Sequence, residues 1–344
     1  MMQSPDAVKQ KITAAPNARR WLVTGAAGFI GSNLVEALLR LDQSVVGIDS
    51  FATGSKANLA EIQAAVAPAQ WGKFSFIEGD ITDLAACRAA CEGVSIVLHE
   101  AAIGSVPRSI DEPLATHAAN VTGHLNMLIA AKDAAVDRFI YASSSSVYGD
   151  APGLPQREDQ LGRPLSPYAA SKRAAELYAD AFARCYGLRV IGLRYFNVFG
   201  PRQNADGPYA GVIPRWTRAM LRDEPVVIFG DGTSSRDFCY VANVVHANLC
   251  AAVTADSAAF GGVFNIATSA QATLNELYDL IAARINAQRG RTVADRRDFR
   301  PSRAGDLQHS RADVSLAKQR LGYVPVADLA AGLDETVRWH CSRT

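Results

Sequence analysis

A tyrosine and a lysine four residues apart, in the stretch SPYAASK, have the types and spacing to do acid–base chemistry. Tyr168 and Lys172 would share one face of a helix, because residues four apart are neighbours there. A neighbouring cation favours the ionised form of a phenol and lowers its pKa. We therefore predict that Lys172 lowers the pKa of Tyr168, which then serves as a base near neutral pH. Such a short pattern also recurs by accident, so the alternative is a packed tyrosine beside a solvated lysine.

The residues around this pair predict the helix that would hold both side chains. The run RAAELYADAFARCYG is rich in alanine, leucine and glutamate and closes at Gly187. Pro167 is tolerated in the first turn of a helix, where its missing N–H has no partner to lose. We expect one helix in which the phenol and the ammonium meet.

Short apolar runs alternate with longer helical patterns from the N-terminus to about Gly200, which is typical of a parallel sheet with helices on both faces. After Gly200 the pattern loosens, although VANVVHANLCAAVTA predicts a helix and GVFNIAT a strand, both apolar enough to rejoin the large sheet. We predict an α/β fold: a Rossmann-type doubly wound parallel sheet with a smaller C-terminal α/β domain. The predicted strands of the first part are RWLVTG, SVVGIDS, FSFIEGD, VSIVLHEAA, DRFIYASSSS and LRVIGLRYFNVFG.

The charge balance of the 344 residues gives no sign of a nucleic-acid or anionic-membrane partner, because 35 basic side chains face 34 acidic ones. No apolar run is long enough to span a bilayer, and the first twenty residues lack the apolar core of a secretory signal. We expect a cytoplasmic protein whose first residues form a short arm on the first domain. No cysteine spacing indicates a metal site, and the six are interpreted as reduced thiols: Cys87, Cys91, Cys185, Cys239, Cys250 and Cys341.

A glycine-rich turn, TGAAGFIG, lies between the first predicted strand and the first predicted helix. Gly25, Gly28 and Gly31 have the spacing G-x-x-G-x-x-G. Glycines at such a turn let the backbone approach a pyrophosphate at a helix N-terminus, where free N–H groups favour an anion. Glycines also serve plain helix–strand packing, but the position between a strand and a helix favours a dinucleotide site.

An acidic residue, Asp49, closes the second predicted strand. A carboxylate there can accept hydrogen bonds from ribose hydroxyls and repels a 2′-phosphate, so NAD is preferred to NADP. The alternative is an aspartate that only caps a turn. Asp80 and Ile81 follow the third strand and are placed to meet the adenine, although GDITD is also typical of a helix N-cap.

The glycine turn, the acid after strand two, SSSS after strand five and YAASK together resemble the extended short-chain dehydrogenase/reductase family. Within it the chain is similar to the UDP-sugar 4-epimerases, most of all to bacterial UDP-N-acetylglucosamine 4-epimerases. The resemblance runs from about Trp21 to about Trp339. LRYFNVFGPRQ, GDGTSSRDFCYV and SRAGDLQHS are similar to the substrate-domain signatures of that family.

The resemblance implies a mechanism. Tyr168 would take the proton of the sugar 4-hydroxyl while hydride passes from C4 to tightly bound NAD, and return to the other face of the 4-keto sugar would invert C4. Lys172 would also bind the nicotinamide ribose. Ser144 would bond the sugar oxygen, and Ser145 could share that role. The implied cofactor-binding residues are Gly25, Gly28, Phe29, Ile30, Gly31, Asp49, Asp80, Ile81, Ala101, Tyr168, Lys172 and Tyr195.

The resemblance also implies a UDP-sugar site. Arg236 and Arg303 match residues that grip the diphosphate, a role suited to a planar guanidinium. Asp306 matches the residue that binds the uridine ribose, and Asn197 matches one near the sugar and the diphosphate. Exposed ionic surface is the alternative for the arginines.

One position bears on the sugar. Galactose-specific relatives carry a bulky aromatic residue where this chain has Ser310, and a small residue opens room for an N-acetyl group beside C2. Gly104 and Ser105 are small as well. We therefore favour UDP-N-acetylglucosamine and UDP-N-acetylgalactosamine, or the corresponding uronic acids, as substrates; Arg108 could meet a uronic carboxylate.

Other activities on the same scaffold remain as alternatives. The related dehydratases carry an Asp–Glu pair after the catalytic threonine, and SSSSVYG has no carboxylate there. A nucleotide-sugar reductase or dehydrogenase, a UDP-glucose 4-epimerase and a non-catalytic NAD sensor stay open, the last disfavoured by the joint presence of Ser144, Tyr168 and Lys172.

Domains and assembly follow from the same resemblance. Residues 1–200 with about 238–268 would form the NAD-binding domain, and about 201–237 with 269–344 the UDP-sugar-binding domain. We expect a homodimer through a four-helix bundle made by ATHAANVTGHLNMLIAAK and AASKRAAELYADAFARCY, since both segments carry an apolar stripe.

Overall fold

The computed structural model describes residues 4–14, 19–206, 209–290, 292–301 and 308–343. At its centre lies a seven-stranded, fully parallel sheet. The strands are β1 (Arg20–Thr24), β2 (Ser44–Asp49), β3 (Phe74–Glu78), β4 (Ile96–His99), β5 (Arg138–Ser144), β6 (Val190–Tyr195), β7 (Val198–Phe199), β8 (Val226–Phe229), β9 (Ser235–Arg236), β10 (Cys239–Tyr240), β11 (Val263–Ile266), β12 (Ala272–Thr273) and β13 (Arg297–Arg300).

Helices cover both faces of this sheet and build the C-terminal part. A π-helical segment at Ala118–Gly123 joins two of them, and short 3₁₀ turns lie at Ser145–Tyr148 and Ser257–Ala259. The α-helices are α1 (Pro5–Thr13), α2 (Phe29–Arg40), α3 (Lys56–Ala65), α4 (Pro68–Trp71), α5 (Leu84–Cys91), α6 (Val106–Asp111), α7 (Pro113–His117), α8 (His124–Asp133), α9 (Pro167–Tyr186), α10 (Val212–Leu221), α11 (Val241–Val253), α12 (Leu274–Arg289), α13 (Ser315–Leu321) and α14 (Leu329–Cys341).

The sheet has the order β11-β6-β5-β4-β1-β2-β3, so the chain runs outward from β1 on one side and outward from β4 on the other. The doubly wound parallel sheet is therefore confirmed, and so is the return of the late strand β11, which pairs with β6. Between β1 and β4 the winding reverses, and in such sheets ligands bind beyond the carboxyl ends of the strands at that reversal.

Each face of the sheet buries its own apolar layer. On one face α2 and α11 pack on the strands, with Leu38 and Val244 fully buried. On the other face α5, α8 and α9 enclose Met127 and Phe139. Helix α1, which was expected only as an N-terminal arm, adds Val8 to the first layer, so that layer extends beyond the sheet.

The smaller C-terminal part has a core of its own. Helices α10, α12 and α14 surround the parallel pair β8–β13, with Trp216, Ile281 and Leu333 buried between them. The sequence predicted β8 but not β13, since DRRDFR is a polar run and carries no apolar alternation. No helix in the described ranges is both long and apolar enough to cross a bilayer.

Candidate active site

A cleft of about 1980 Å³ opens along the carboxyl edge of the large sheet, towards the C-terminal part. Every predicted site residue that the structure describes lines it. Arg303 and Asp306 lie outside the described residues. The predicted residues around the cleft are Gly25, Gly28, Phe29, Ile30, Gly31, Asp49, Asp80, Ile81, Ala101, Gly104, Ser105, Ser144, Ser145, Tyr168, Lys172, Tyr195, Asn197, Arg236 and Ser310.

Helix α9 places the tyrosine and the lysine on the wall of this cleft. The Ser166 hydroxyl caps the helix by accepting from the Ala169 N–H at 3.1 Å, and Pro167 occupies the first turn. Gly187 ends the helix in the left-handed region at φ 70°, as the sequence predicted. The two side chains thus start one turn apart near the helix N-terminus.

The pKa of Tyr168 differs from the sequence-based expectation. Burial raises it, and a hydrogen bond with the Ser144 side chain lowers it only in part. The expected effect of the lysine is not present, because the Lys172 ammonium donates at 3.0 Å to the carbonyl oxygen of Ala142 on β5. In the protein alone the phenol is therefore a weaker acid than usual.

Lys172 itself is an unusual cation, since its side chain is 6% exposed. Burial lowers its pKa to about 8, and the negative charges of Glu100 and Glu176 oppose that fall. At pH 7 the side chain is mostly charged inside the protein. A positive charge thus lies at the cleft wall, one turn from the phenol.

The serine run at the end of β5 forms a tight turn into the cleft. Ser144 is the last residue of the strand, and its hydroxyl accepts from the Ser146 N–H at 3.2 Å at the start of the 3₁₀ turn. The same side chain bonds to Tyr168. Ser145 is half-buried and also faces the cleft. Ser144 and Tyr168 thus lie close together at the cleft wall.

A buried ion pair supports this turn from behind and was not predicted. The carboxylate of Glu176 accepts from the Arg194 guanidinium at 2.8 and 3.0 Å and from the Ser143 hydroxyl at 2.6 Å. Both ion-pair side chains are 2% exposed. Glu176 follows Lys172 by one helical turn and therefore lies on the same, buried face of α9. That spacing was the signal in the sequence that could have predicted its burial.

The glycine turn fits the pyrophosphate of a dinucleotide. Gly25 has φ 67°, a left-handed conformation that favours glycine. A Cβ on Gly31 would lie 2.0 Å from the Gly25 carbonyl oxygen, so the turn and α2 approach each other too closely for any side chain. Helix α2 begins at Phe29 without a side-chain cap, which leaves its first N–H groups for an anion.

Asp49 lies beside this turn, at the end of β2. Its carboxylate accepts from the Ala27 N–H at 2.9 Å and from the Phe51 N–H at 2.7 Å. Burial raises its pKa in spite of these bonds. Asp80 accepts from the N–H and hydroxyl of Thr82, both at 2.8 Å, in a local turn, whereas the N-cap of α5 within GDITD is Asp83. The carboxylates of Asp49 and Asp80 both line the cleft.

The opposite wall carries the predicted substrate residues. The Asn197 side chain donates to the Asp237 carbonyl at 3.2 Å and to the Ser310 hydroxyl at 3.4 Å. Ser310 is 4% exposed. Arg236 donates to the backbone carbonyl of Gln308 at 3.2 Å. These contacts join the end of β6 to the segment that follows residue 307.

Two further polar side chains of the site were missed. Asn120, in the π-helical segment, accepts from the Ile103 N–H at 2.8 Å and donates to its carbonyl and to Ser171, both at 3.0 Å. It thereby fixes the loop after β4 against α9. Glu100 begins this loop, and its carboxylate accepts from the Tyr195 hydroxyl at 2.8 Å. A carboxylate within the apolar run VSIVLHEAA was the signal available in the sequence.

Histidine, cysteine and acidic side chains are the common metal ligands in proteins. No group of three or more in the described parts of the chain is arranged to hold an ion. The polar groups of the predicted site that line the cleft are hydroxyl, amine, amide, guanidinium and carboxyl groups.

Comparison with known proteins identifies the family. The model of the NAD dependent epimerase/dehydratase family matches residues 21–267, which include the glycine turn, the serine run and the Tyr168–Lys172 pair. A UDP-glucose 4-epimerase of Mycolicibacterium smegmatis is 38% identical over 323 residues, which cover 93% of this chain and 98% of that protein.

Two solved structures are similar over nearly the whole chain. The UDP-N-acetylglucosamine 4-epimerase of Methanobrevibacter ruminantium, in complex with UDP-N-acetylmuramic acid, has a TM-score of 0.85 at 36% identity and covers 95% of this chain and 100% of its own. The UDP-glucuronic acid 4-epimerase of Bacillus cereus, in complex with UDP-glucuronic acid and NAD, has a TM-score of 0.83 at 33% identity and covers 94% of this chain and 100% of its own. The resemblance and the NAD cofactor predicted from the sequence are thus confirmed, and the chain belongs to the NAD dependent epimerase/dehydratase family.

Proposed function

We propose that this protein is a UDP-sugar 4-epimerase. The observation that carries the proposal is the placement of Ser144, Tyr168 and a buried, charged Lys172 together in the cleft at the carboxyl edge of the sheet, with the last two one helical turn apart. The glycine turn at Gly25 opens into the same cleft, so a nicotinamide ring and a sugar alcohol can meet there.

Each of these residues has a part in the proposed reaction. Tyr168 takes the proton from the sugar 4-hydroxyl and gives it back, while Ser144 donates a hydrogen bond to the same oxygen. NAD, which the glycine turn and Asp49 would hold, would supply the acceptor for the hydride from C4 and its return. Lys172 supplies a positive charge that favours the phenolate once substrate and cofactor exclude water. Reversal on the other face of the 4-keto sugar inverts C4, with no net oxidation.

For the sugar we propose an N-acetylhexosamine or the corresponding uronic acid. Ser310 is small and lies on the cleft wall, and a Cβ on Gly104 would meet nothing within 4 Å. The small side chain at position 310 and the open space at Gly104 support an acetamido group, although a steric preference is weaker than a required hydrogen bond. UDP-glucose is the second candidate, because the M. smegmatis relative is named a UDP-glucose 4-epimerase.

Epimerisation is favoured over the other reaction of the family. Elimination of water across C5 and C6 needs an acid and a base beside the catalytic hydroxyl. The residues after Ser144 in the 3₁₀ turn are Ser145, Ser146 and Val147, so that position offers no carboxyl group. A reductase that exchanges its cofactor at each turnover remains the alternative that the experiment below addresses.

The test is incubation of the purified protein with a panel of UDP-hexoses, acetylated or not and with a C6 alcohol or carboxylate, without added cofactor. We expect C4 epimers, resolved by chromatography or NMR, to form fastest from the acetylated sugars. A parallel incubation with added NADH tests the alternative. Consumption of NADH in proportion to the product formed would indicate a reductase. No product from any member of the panel would contradict the proposal.

We also propose the domain roles and the dimer expected from the sequence. Residues 1–200 with 238–268 would bind NAD, and the remainder would bind the UDP-sugar. For the dimer, which the sequence places on the segments ATHAANVTGHLNMLIAAK and AASKRAAELYADAFARCY, the support is a group of exposed apolar side chains on α9 and on its neighbours α6 and α7. Its exposed members are Ile110, Leu114, Leu177, Tyr178 and Tyr186.

A further inference from the structure

A chain of polar side chains crosses the carboxyl edge of the sheet beside the catalytic lysine. The Asn248 amide donates one N–H to the Val244 carbonyl at 3.0 Å and the other to the Tyr195 hydroxyl at 2.8 Å. With its acceptor site occupied in this way, Tyr195 donates to Glu100 Oε1 at 2.8 Å. The direction of both bonds is thus fixed by the geometry, and Glu100 is an acceptor at their end.

The second oxygen of this carboxyl group, Oε2, is buried and has no hydrogen-bond partner in the described parts of the chain. Glu100, Tyr195 and Lys172 all line the cleft. A buried carboxylate is costly unless it is paired with a cation.

Burial raises the pKa of Glu100 to about 7, so a nearby cation is needed to keep this group charged around neutral pH. Lys172 is that cation, because its ammonium donates to the carbonyl of Ala142, and the preceding residue on β5, Tyr141, pairs with His99, directly before Glu100.

Most titratable groups around Lys172 are uncharged at neutral pH. His99 on β4 and His124 on α8 lie with their rings 5.1 Å apart, and burial lowers the pKa of both, that of His124 to about 3. Tyr168 and Tyr195 are neutral phenols whose pKa values burial raises. None of these four side chains offsets the ammonium charge.

Two carboxylates remain, and both raise the pKa of Lys172, Glu100 more than Glu176. Glu176 is already neutralised, because Arg194 bonds both of its oxygens and Arg173 donates to Oε2 at 2.8 Å. Glu100 has no ion pair within the described residues. Its charge acts on Lys172 across the cleft wall and opposes the effect of burial.

We propose that Glu100 is a positioning residue that acts through Lys172: its buried carboxylate, oriented by Tyr195 and Asn248, is the counter-charge that keeps the catalytic lysine protonated. The inference rests on the proposed function for the catalytic role of Lys172 but not for the electrostatic pairing itself. In the Glu100→Gln variant the amide oxygen still accepts from Tyr195, while the charge is gone.

The experiment follows the lysine directly. The chain has seven lysines, so protein labelled with ¹³C at the lysine ε-carbons gives a simple NMR spectrum, and the Lys172→Arg variant assigns the signal. We expect the titration midpoint of Lys172 to fall by about one pH unit or more in Glu100→Gln, as for loss of a close opposite charge. Glu78→Gln, which removes an exposed carboxylate at the end of β3, should leave the midpoint unchanged. An unchanged midpoint in Glu100→Gln would overturn the proposal.

Tyr195→Phe provides a second variant should Glu100→Gln fold poorly. Loss of the hydrogen-bond donor raises the pKa of Glu100 and so reduces its negative charge. The titration midpoint of Lys172 should therefore fall, as in Glu100→Gln, and an unchanged midpoint would equally overturn the proposal. The alkaline limb of epimerase activity should move to lower pH in parallel. Because the NMR titration needs no substrate, a protein that epimerises no sugar can still show the pairing, and the two failures are distinguishable.

Discussion

Lys172 keeps its charge in a place where charge is costly. Its ammonium donates to the Ala142 carbonyl on β5, just before the serine turn. The phenol of Tyr168 has lost solvent as well, and its pKa is raised in the protein alone. The buried ammonium of Lys172 therefore stabilises a negative charge that forms nearby, such as that of the Tyr168 phenolate in the proposed reaction.

Replacement of Tyr168 by phenylalanine tests the proton transfer. The variant keeps the ring and its packing but removes the hydroxyl that bonds to Ser144. We expect turnover to fall by about 10²–10⁴-fold, the usual contribution of a general base. The amount of NAD that co-purifies, read from the ultraviolet spectrum, and the melting temperature should hardly change. Tyr178→Phe, on the exposed side of the same helix, is the matched control and should retain full activity.

The activity should depend on pH through the lysine. Lys172 is a cation below its pKa of about 8 and neutral above it, and only the cation favours the phenolate. We therefore expect kcat to decline as the pH rises through about 8. Lys172→Arg stays charged throughout this range and should lose the alkaline decline, even if its rate is lower. A wild-type profile that is level to pH 10 would contradict this role.

The sugar preference should depend on Ser310. A tyrosine at this position would occupy the space on the cleft wall beside Asn197. We expect Ser310→Tyr to lower kcat/KM for acetylated UDP-sugars by about tenfold or more, with a smaller effect on UDP-glucose. Ser257→Tyr, at an exposed position remote from the cleft, serves as control. Equal losses for both sugar classes would argue against a steric role for this position.

At the residue scale, the reactive groups are easier to predict from the sequence than the groups that support them. Tyr168, Lys172 and Ser144 belong to a recognisable pattern and are found together in the cleft. Glu100 and Arg194 have no such pattern. Their roles depend on partners distant in the chain, such as the Tyr195 hydroxyl 95 positions away from Glu100. No local spacing encodes that contact.

The strands and helices that carry the site were predictable for a related reason. Each large-sheet strand is an apolar run, and α9 is bounded by Pro167 and Gly187 as local chemistry requires. Strand β13 was missed because its residues are polar and its place is set by pairing with β8. The π-helical segment at Ala118–Gly123 was missed too, since its sequence is compatible with an ordinary helix.

The glycine turn makes a prediction at the scale of the element. In Gly31→Ala the new methyl group would overlap the Gly25 carbonyl oxygen and force α2 away from the turn. We expect a loss of about 2 kcal/mol in the free energy of unfolding, as for other overpacked sites, together with weaker NAD retention. Urea unfolding and the absorbance of the purified protein measure both. Gly72→Ala, whose Cβ would make only ordinary contacts, should change neither.

At the scale of the whole molecule, one cluster of polar contacts joins the cofactor side to the C-terminal part. Arg202, which is 8% exposed, pairs with Glu36 on α2 and, at 3.0 Å, with Glu61 on α3. The indole N–H of Trp339 on α14 donates to the same Glu61 oxygen at 2.9 Å. The cleft walls are thus tied together at one end.

The exposed apolar face makes the last prediction. Helices α6 and α7 pack on α9, and Leu114 and Leu177 on them are 85% and 57% exposed. An apolar surface of this kind is typical of a protein–protein contact. We expect the wild type to be a dimer in size-exclusion chromatography with light scattering, and the double variant Leu114→Glu, Leu177→Glu to be a monomer, because paired faces would bury the four new charges without partners.

A matched control separates this contact from general loss of apolar surface. Phe299 is 52% exposed on β13, in the C-terminal part, so Phe299→Glu should remain dimeric. If the wild type is monomeric at micromolar concentration, the four-helix contact is wrong. If the double variant stays dimeric, the contact lies elsewhere on the surface. Tyr168 and Lys172 lie near the N-terminus of α9. A monomer that retains NAD but has a lower turnover rate would therefore indicate that the dimer contact helps to position this helix.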